Sequence, residues 1–200
     1  NVEVRRLVDR WKHCTLWIQK LRITAGIEFV DQPVQLANHH QHLLGRCSPI
    51  WYRGQCLLPL YNEIERNCVI YGGDGLEFSR LGTFGKNMIQ PTLWVGKNRI
   101  SALCRNFGNG QTNAKYCYTT DSGLTWSEPE ETGIPNNNSS LHTVRWQNSN
   151  YLIWNDTRGT FRERLALGML RNRQTPTLVK RPLIVSPAHG AYPSACVNLH

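Results

Sequence analysis

Three stretches of this chain follow one plan at a regular period, and that repetition limits the fold more than any other feature. Each opens with a short extended run, turns on polar residues and returns as a second apolar run that ends polar. They read SPIWY-RGQ-CLLPLYNE from Ser48 to Glu63, QPTLWV-GKNR-ISALCRN from Gln90 to Asn106, and SSLHTVRW-QNSN-YLIWNDT from Ser139 to Thr157. A fourth opens at Tyr192 as YPSACVNL and runs to His200. The spacing from Pro49 to Pro91 is 42 residues, and from Ser140 to Pro193 it is 53. Antiparallel hairpins recurring every ~40–50 residues are the mark of a β-propeller, one blade per repeat. The alternative is a plain β-sandwich, which would need two such periods to fall in register by accident.

Composition agrees with an all-β chain. Aromatic residues make up 10% of the sequence and are interleaved with 16 Gly and 10 Pro, the punctuation of many short strands. A hydrophobic fraction of 40% against 18% charged excludes intrinsic disorder. There is no heptad run and no apolar stretch long enough to span a membrane as a helix. The expected division is 1–44 as outer strands of a preceding blade with its connecting loop, 45–88 and 89–137 as blades, 138–190 as a further blade, and 191–200 as the start of another. Within the first segment, TLWIQKLR and GIEFVDQPVQ read as strands, and residues 2–12 space Val4, Leu7, Val8 and Trp11 at helical intervals.

Inside the second repeat lies YTTDSGLTWSEP, with Thr119, Asp121, Gly123 and Trp126 at fixed offsets. These residue types suit a hairpin between the third and fourth strands of a blade. The Asp121 carboxylate accepts turn N–H groups, Gly123 takes the positive φ, and Trp126 folds back onto the blade as an apolar plug. A related segment, Gly73-Asp74-Gly75-Leu76-Glu77-Phe78, lacks the Trp. The four-residue pattern is the Asp box, or BNR repeat, and here the chain resembles the sialidase-like β-propellers. The runs CLLPLYNE, MIQPTLWV, ISALCRN, GIPNNNSSLHTVRW, YLIWND and AYPSACV occur in the order those domains show, over residues 40–200. In that family the box is a structural element away from the substrate, so Asp121 is expected to brace a turn and take no part in catalysis.

Propeller geometry says where chemistry would sit. The start of each inner strand and the end of the next, antiparallel strand meet at one rim of the axial channel. The inner-strand starts contribute Arg46, Ser48, Gln90, Asn138, Ser139, His189 and Tyr192. The second-strand ends contribute Tyr61, Glu63, Arg105, Asn106, Asn155, Asp156 and Arg158, with Tyr61, Arg105 and Asn155 at equivalent positions. Sialidases grip a carboxylate with arginines, whose forked guanidinium matches it bidentately, and they use a Tyr nucleophile. The resemblance therefore implies Arg105 as a carboxylate-binding arginine, with Arg46, Arg158 and Arg164 as further candidates. It implies Tyr192 or Tyr61 as the nucleophile and Glu63 as its base, with Gln90, Asn138 and Asn155 completing the substrate-binding rim. The Arg-Ile-Pro segment typical near the start of sialidases is absent.

A formal charge of +9 suits an acidic partner. The basic residues are dispersed, Arg5, Arg6, Arg10 and Lys12 near the start and Arg162, Arg164, Arg171, Arg173, Lys180 and Arg181 later. Dispersal favours a solvated basic surface over a dedicated nucleic-acid site, and the partner expected is an acidic glycan or other anionic ligand. The function expected is recognition of acidic sugars, with hydrolysis of terminal sialic-acid-type glycosides if the chain is an enzyme. The alternative is a non-catalytic propeller that binds glycan or serves as a docking subunit.

No cofactor motif is present: neither P-loop, G-x-S-x-G, G-x-G-x-x-G nor C-x-x-C. His39, His40 and His42 lack a matching carboxylate or Cys partner and read as a polar loop, so no metal is expected. Seven cysteines leave two options open, bridges Cys56–Cys68 and Cys104–Cys117 or free buried thiols. Asn137, Asn138 and Asn155 head glycosylation sequons. The chain opens on Asn1 without Met or signal peptide. About four blades is short of the six of a closed sialidase propeller, so closure is expected from further sequence or a partner chain.

Overall fold

The computed structural model describes residues 15–23, 25–37, 41–74, 77–107, 112–171, 175–179, 182–187, 190 and 192–195. The 2–12 segment, His39, His40, Gly75, Leu76, His189, Cys14 and Cys196 lie outside them. Every regular element among these residues is a strand. β1 (Leu16–Ile18) pairs with β4 (Val34–Ala37), and between them β2 (Leu21–Ile23) and β3 (Ile27–Phe29) form a hairpin.

Three larger antiparallel sheets follow in chain order. The first runs from β5 (Leu43–Gly45) and β6 (Ile50–Tyr52), both on β7 (Gln55–Asn62), through β8 (Asn67–Asp74) to β9 (Glu77–Phe84). The second is β10 (Met88–Val95), β11 (Ile100–Asn106), β12 (Asn113–Thr119) and β13 (Glu130–Pro135). The third is β14 (His142–Trp146), β15 (Ser149–Asn155) and β16 (Leu165–Arg171), with β17 (Thr177–Leu178) and β18 (Leu183–Ser186) both on β16. Each sheet is a meander whose first strand lies innermost, and β10 packs against β6 on one side and β14 on the other. Sheets stacked this way are the blades of a β-propeller.

The period of two along each strand explains why the central strands are buried on both faces. In β11, Ile100, Ala102 and Cys104 enter the core shared with the first blade, while Leu103 enters the core shared with the third. In β8, Cys68 and Ile70 face the second blade, and Val69 and Tyr71 face the side of β1 and β4, where Leu16, Leu36 and Ala37 pack. A strand with a blade on each face has no solvent side, hence the unbroken burial of β11.

The Asp box forms between the third and fourth strands of its blade. Thr119 Oγ1 donates to Asp121 Oδ1 at 2.7 Å and accepts from the amide of Gly123 at 3.2 Å. Asp121 accepts from the Thr125 amide at 2.9 Å. These bonds hold the carboxyl down at about 2, led by the Thr125 and Thr119 hydroxyls. Gly123 has φ 99°. Trp126 departs from the expected plug on its own blade: its ring stacks on Phe84 of the preceding blade at 4.1 Å and 13°, and Nε1 donates to Gly123 O at 3.1 Å. Gly82 on β9 explains this. A Cβ there would come within 2.4 Å of Gly123 O and 2.7 Å of Leu124 O, so the turn lies directly on bare backbone. The box therefore fastens one blade to the next. At the corresponding place in the first blade, Asp74 pairs with Glu77 in a plain hairpin.

Cys47, Cys56, Cys68, Cys104 and Cys117 are free thiols. Cys56 stands opposite Gly73 and Cys104 opposite Lys115, so neither expected pair is in register. Cys68 Sγ instead lies 3.7 Å from Cys104 Sγ, across the junction of two blades.

Candidate functional site

The inner strands are irregular at one level, and the irregularities aim side chains into the axis. In the first blade residues 46–49 interrupt the strand between β5 and β6. The run from Ser48 thus covers only the second part of an inner strand that begins at Leu43. In the second blade the register slips between Ile89 and Thr92, and Gln90 takes φ 52°. In the third, Asn138 takes φ 62° before β14 begins. Bulges of this kind turn a side chain out of the pleat and are common beside functional sites. The blades are pinned just below. Thr92 Oγ1 and Thr143 Oγ1 lie 2.7 Å apart, and the Cys47 thiol donates to Leu141 O at 3.4 Å. Burial pushes that thiol up to about 12, so it stays protonated.

Arg105 occupies the centre of the rim, 7% exposed at the end of β11. Its Nε donates to Asn138 Oδ1 at 2.7 Å and its Nη1 to Gln90 Oε1 at 3.0 Å. Gln90 Nε2 in turn donates to the Tyr61 hydroxyl at 3.2 Å. The chain Tyr61–Gln90–Arg105–Asn138 fixes the guanidinium with neutral partners and leaves its charge uncancelled. Burial lowers the Arg105 pKa, and the nearby Arg162 adds to the fall, yet an arginine of this kind remains a cation. Burial raises Tyr61, and the Gln90 bond and the Arg105 charge only partly offset it, so Tyr61 is a neutral phenol.

Tyr192 is 43% exposed beside this group, with φ 56°. The Arg162 guanidinium lies 5.0 Å from its ring centroid and that of Arg46 5.6 Å. Arg46 also donates to Pro193 O at 2.8 Å. Burial pushes the phenol up, but the hydrogen bond from Arg162 and the charges of Arg105 and Arg162 outweigh it and bring it below the usual tyrosine range. Among the described residues, no carboxylate lies in ion-pair contact with Arg46, Arg105 or Arg162. Glu63, half-buried at the start of the turn between β7 and β8, acts by its charge on Arg105 and Tyr61. Three positive-φ residues, Gln90, Asn138 and Tyr192, meet here, and such outliers concentrate where geometry is held for a purpose.

The structure thus brings together Arg46, Tyr61, Glu63, Gln90, Arg105, Asn138 and Tyr192. Other expected rim residues sit elsewhere. Arg158 donates to Asn113 Oδ1 at 3.0 Å and to Gly133 O, bracing a loop. Arg164 pairs with Asp156 at 3.5 Å. Asn155 is fully buried and donates to Gly190 O at 2.7 Å. The Gly190 amide bonds to Arg162 O at 3.0 Å, so Asn155 helps seat the segment that carries Arg162 toward Tyr192. Arg162 is the residue that rim reasoning did not select. It lies in an irregular loop with Arg164 two residues on, and no period tells which of them turns inward. Among the described residues, no three His, Cys, Asp or Glu side chains are grouped to hold a metal ion, and no helix is long and apolar enough to cross a membrane.

The family described as a BNR repeat-like domain matches residues 25–199. The chain belongs to that family. Two solved structures share its fold: Hadza microbial sialidase Hz136 and Trypanosoma rangeli sialidase. The first has a TM-score of 0.61 and 15% identity over 88% of this chain. The second has 0.60 and 12% over 89%. The chain spans 37% and 34% of their respective lengths. No curated protein matches it in sequence. This BNR repeat-like domain is therefore all-β, with the sialidase-like propeller fold.

Proposed function

We propose that the rim binds the carboxylate of an acidic sugar and that the protein hydrolyses sialic-acid-type glycosides with Tyr192 as nucleophile. The observation that carries this reading is the group of three guanidiniums, Arg46, Arg105 and Arg162, gathered around one phenol with no carboxylate pairing among the described residues. A cationic set held by neutral partners is suited to an anion from solution, and each charge-assisted hydrogen bond contributes about 1.5–3 kcal/mol. Its forked donors match a planar carboxylate.

Although burial raises it, Arg162 and Arg105 lower the Tyr192 phenol overall and so enlarge its nucleophilic fraction. In this reading the Tyr192 oxygen forms a bond to the anomeric carbon as the glycosidic C–O bond breaks. The phenol proton is relayed through water to the departing oxygen, which leaves as an alcohol. A second water then adds its oxygen to the anomeric carbon and returns a proton to the tyrosine oxygen, releasing the sugar. Tyr61, neutral and bonded to Gln90, is a positioning residue for Arg105, and Glu63 moderates the local positive charge.

The test is turnover of a fluorogenic sialoside. Tyr192→Phe is expected to abolish hydrolysis, while Tyr61→Phe weakens it through Arg105 and raises KM more than it lowers kcat. Full activity in Tyr192→Phe would refute the nucleophile, and no turnover by the protein would refute the hydrolase.

A further inference from the structure

We propose that Arg66 and Phe107 form a second anionic subsite next to the carboxylate site, so that the preferred ligand carries two acidic groups. The inference rests on the reading of the rim given above and names the substrate class more narrowly. Phe107, just after β11, has two guanidiniums against its ring, Arg105 with its carbon at 5.8 Å from the centroid and Arg66 at 4.8 Å. One cation therefore belongs to the carboxylate site and the other to the turn between β7 and β8, with a single ring between them. Cation–π contact holds a guanidinium over the ring while its N–H edge stays free to bond outward.

The position of Arg66 is fixed by more than this stacking. Its carbonyl accepts from the Met88 amide at 3.0 Å, and the Phe107 amide donates to Asn87 O at 2.9 Å, so three segments from two blades are laced together beneath the pair. Phe107 packs on Leu44, Tyr61 and Ile89, the wall that also carries the Gln90 and Arg105 network. Arg66 takes φ 56°, a conformation that glycine or asparagine adopts at lower cost. An arginine is held there in spite of its backbone strain. Glu65, its neighbour in the turn, accepts a bond from Asn67 at 2.9 Å. A cation over an aromatic ring, beside a site for one carboxylate, suits a second acid on the adjoining sugar or aglycone.

The test compares two thio-linked, uncleavable probes by calorimetric titration: sialyllactose, with one carboxylate, and disialyllactose, with two. The protein is expected to bind the second about tenfold more tightly. Arg66→Asn keeps the left-handed turn and removes the cation. It should bring the two affinities within about twofold while leaving that for sialyllactose unchanged. Phe107→Leu, which keeps the apolar contact, should lose part of the preference. Equal affinities in the parent protein, or an equal loss for both probes in Arg66→Asn, would overturn the second subsite while the carboxylate site stands. Binding of neither probe would overturn both.

Discussion

Gly82→Ala should destabilise the protein, against the usual direction for such a change. Replacing a strand glycine with alanine at an ordinary φ restricts the unfolded chain and stabilises by about 0.4–1 kcal/mol. At Gly82 the added methyl would sit 2.4 Å from Gly123 O and 2.7 Å from Leu124 O, both backbone atoms of the Asp-box turn. Contact becomes ordinary only near 3.4 Å, so the turn must lift by about an ångström. That opens the Phe84–Trp126 stack, now at 4.1 Å, and a gap of this size forfeits a quarter to a half of the dispersion energy there. Overpacking of this kind costs about 1–3 kcal/mol. After the unfolded-state gain, the net loss is about 1–2 kcal/mol.

Gly133→Ala is the control, since nothing lies within 4 Å of a Cβ there. Urea unfolding followed by tryptophan fluorescence should move the midpoint of Gly82→Ala down by roughly 0.5–1 M, taking a slope of about 2 kcal/mol per molar. Gly133→Ala should hold its midpoint or raise it. If the two variants unfold alike, the box does not dock on the preceding blade.

Other consequences are open to direct measurement. Asp121 has a folded pKa of about 2, below its unfolded value of about 3.9. Its contribution is therefore full above pH 4 and lost as pH falls through 2, and Asp121→Asn should flatten the stability profile between those values. Cys68, Cys104 and Cys117 are buried, and desolvation raises Cys104 and Cys117 well above the ordinary thiol range. A thiol reagent should leave all three unlabelled in the native protein and label them in urea, and rapid native labelling of Cys104 would contradict the blade junction. Thr143→Val removes the hydroxyl that bonds Thr92 and Leu93 O, and should cost about 1–3 kcal/mol by the same urea assay.

The hairpins and the box were legible because their signals are local. An apolar run, a polar turn and a second run imply two paired strands, and the Thr119–Trp126 spacing implies its turn chemistry. The rim followed from strand direction, which is why Arg105, Gln90, Asn138 and Tyr192 could be grouped before their contacts were known. What escaped depends on tertiary placement. Strand direction groups Arg46 with the rim, but it does not reveal the break at 46–49 that divides its strand into β5 and β6, since nothing in Arg46-Cys47-Ser48-Pro49 announces it. Trp126 could be read as a plug but not assigned to its neighbour's blade, because that depends on Gly82 forty-four residues earlier. Arg162 and Arg164 are two residues apart and are separated by tertiary contacts: the Gly190 amide holds the Arg162 carbonyl, while the Asp156 amide holds that of Arg164 and the Asp156 carboxylate pairs with its guanidinium.

Recognition of a carboxylate by the rim is open to one direct measurement. Titration of the protein with a sialic-acid glycoside and with its methyl ester, which keeps the shape and removes the charge, measures this directly. The acid should bind at least a hundredfold more tightly than the ester, and Arg105→Ala should abolish the difference. Equal affinity for acid and ester would contradict carboxylate recognition.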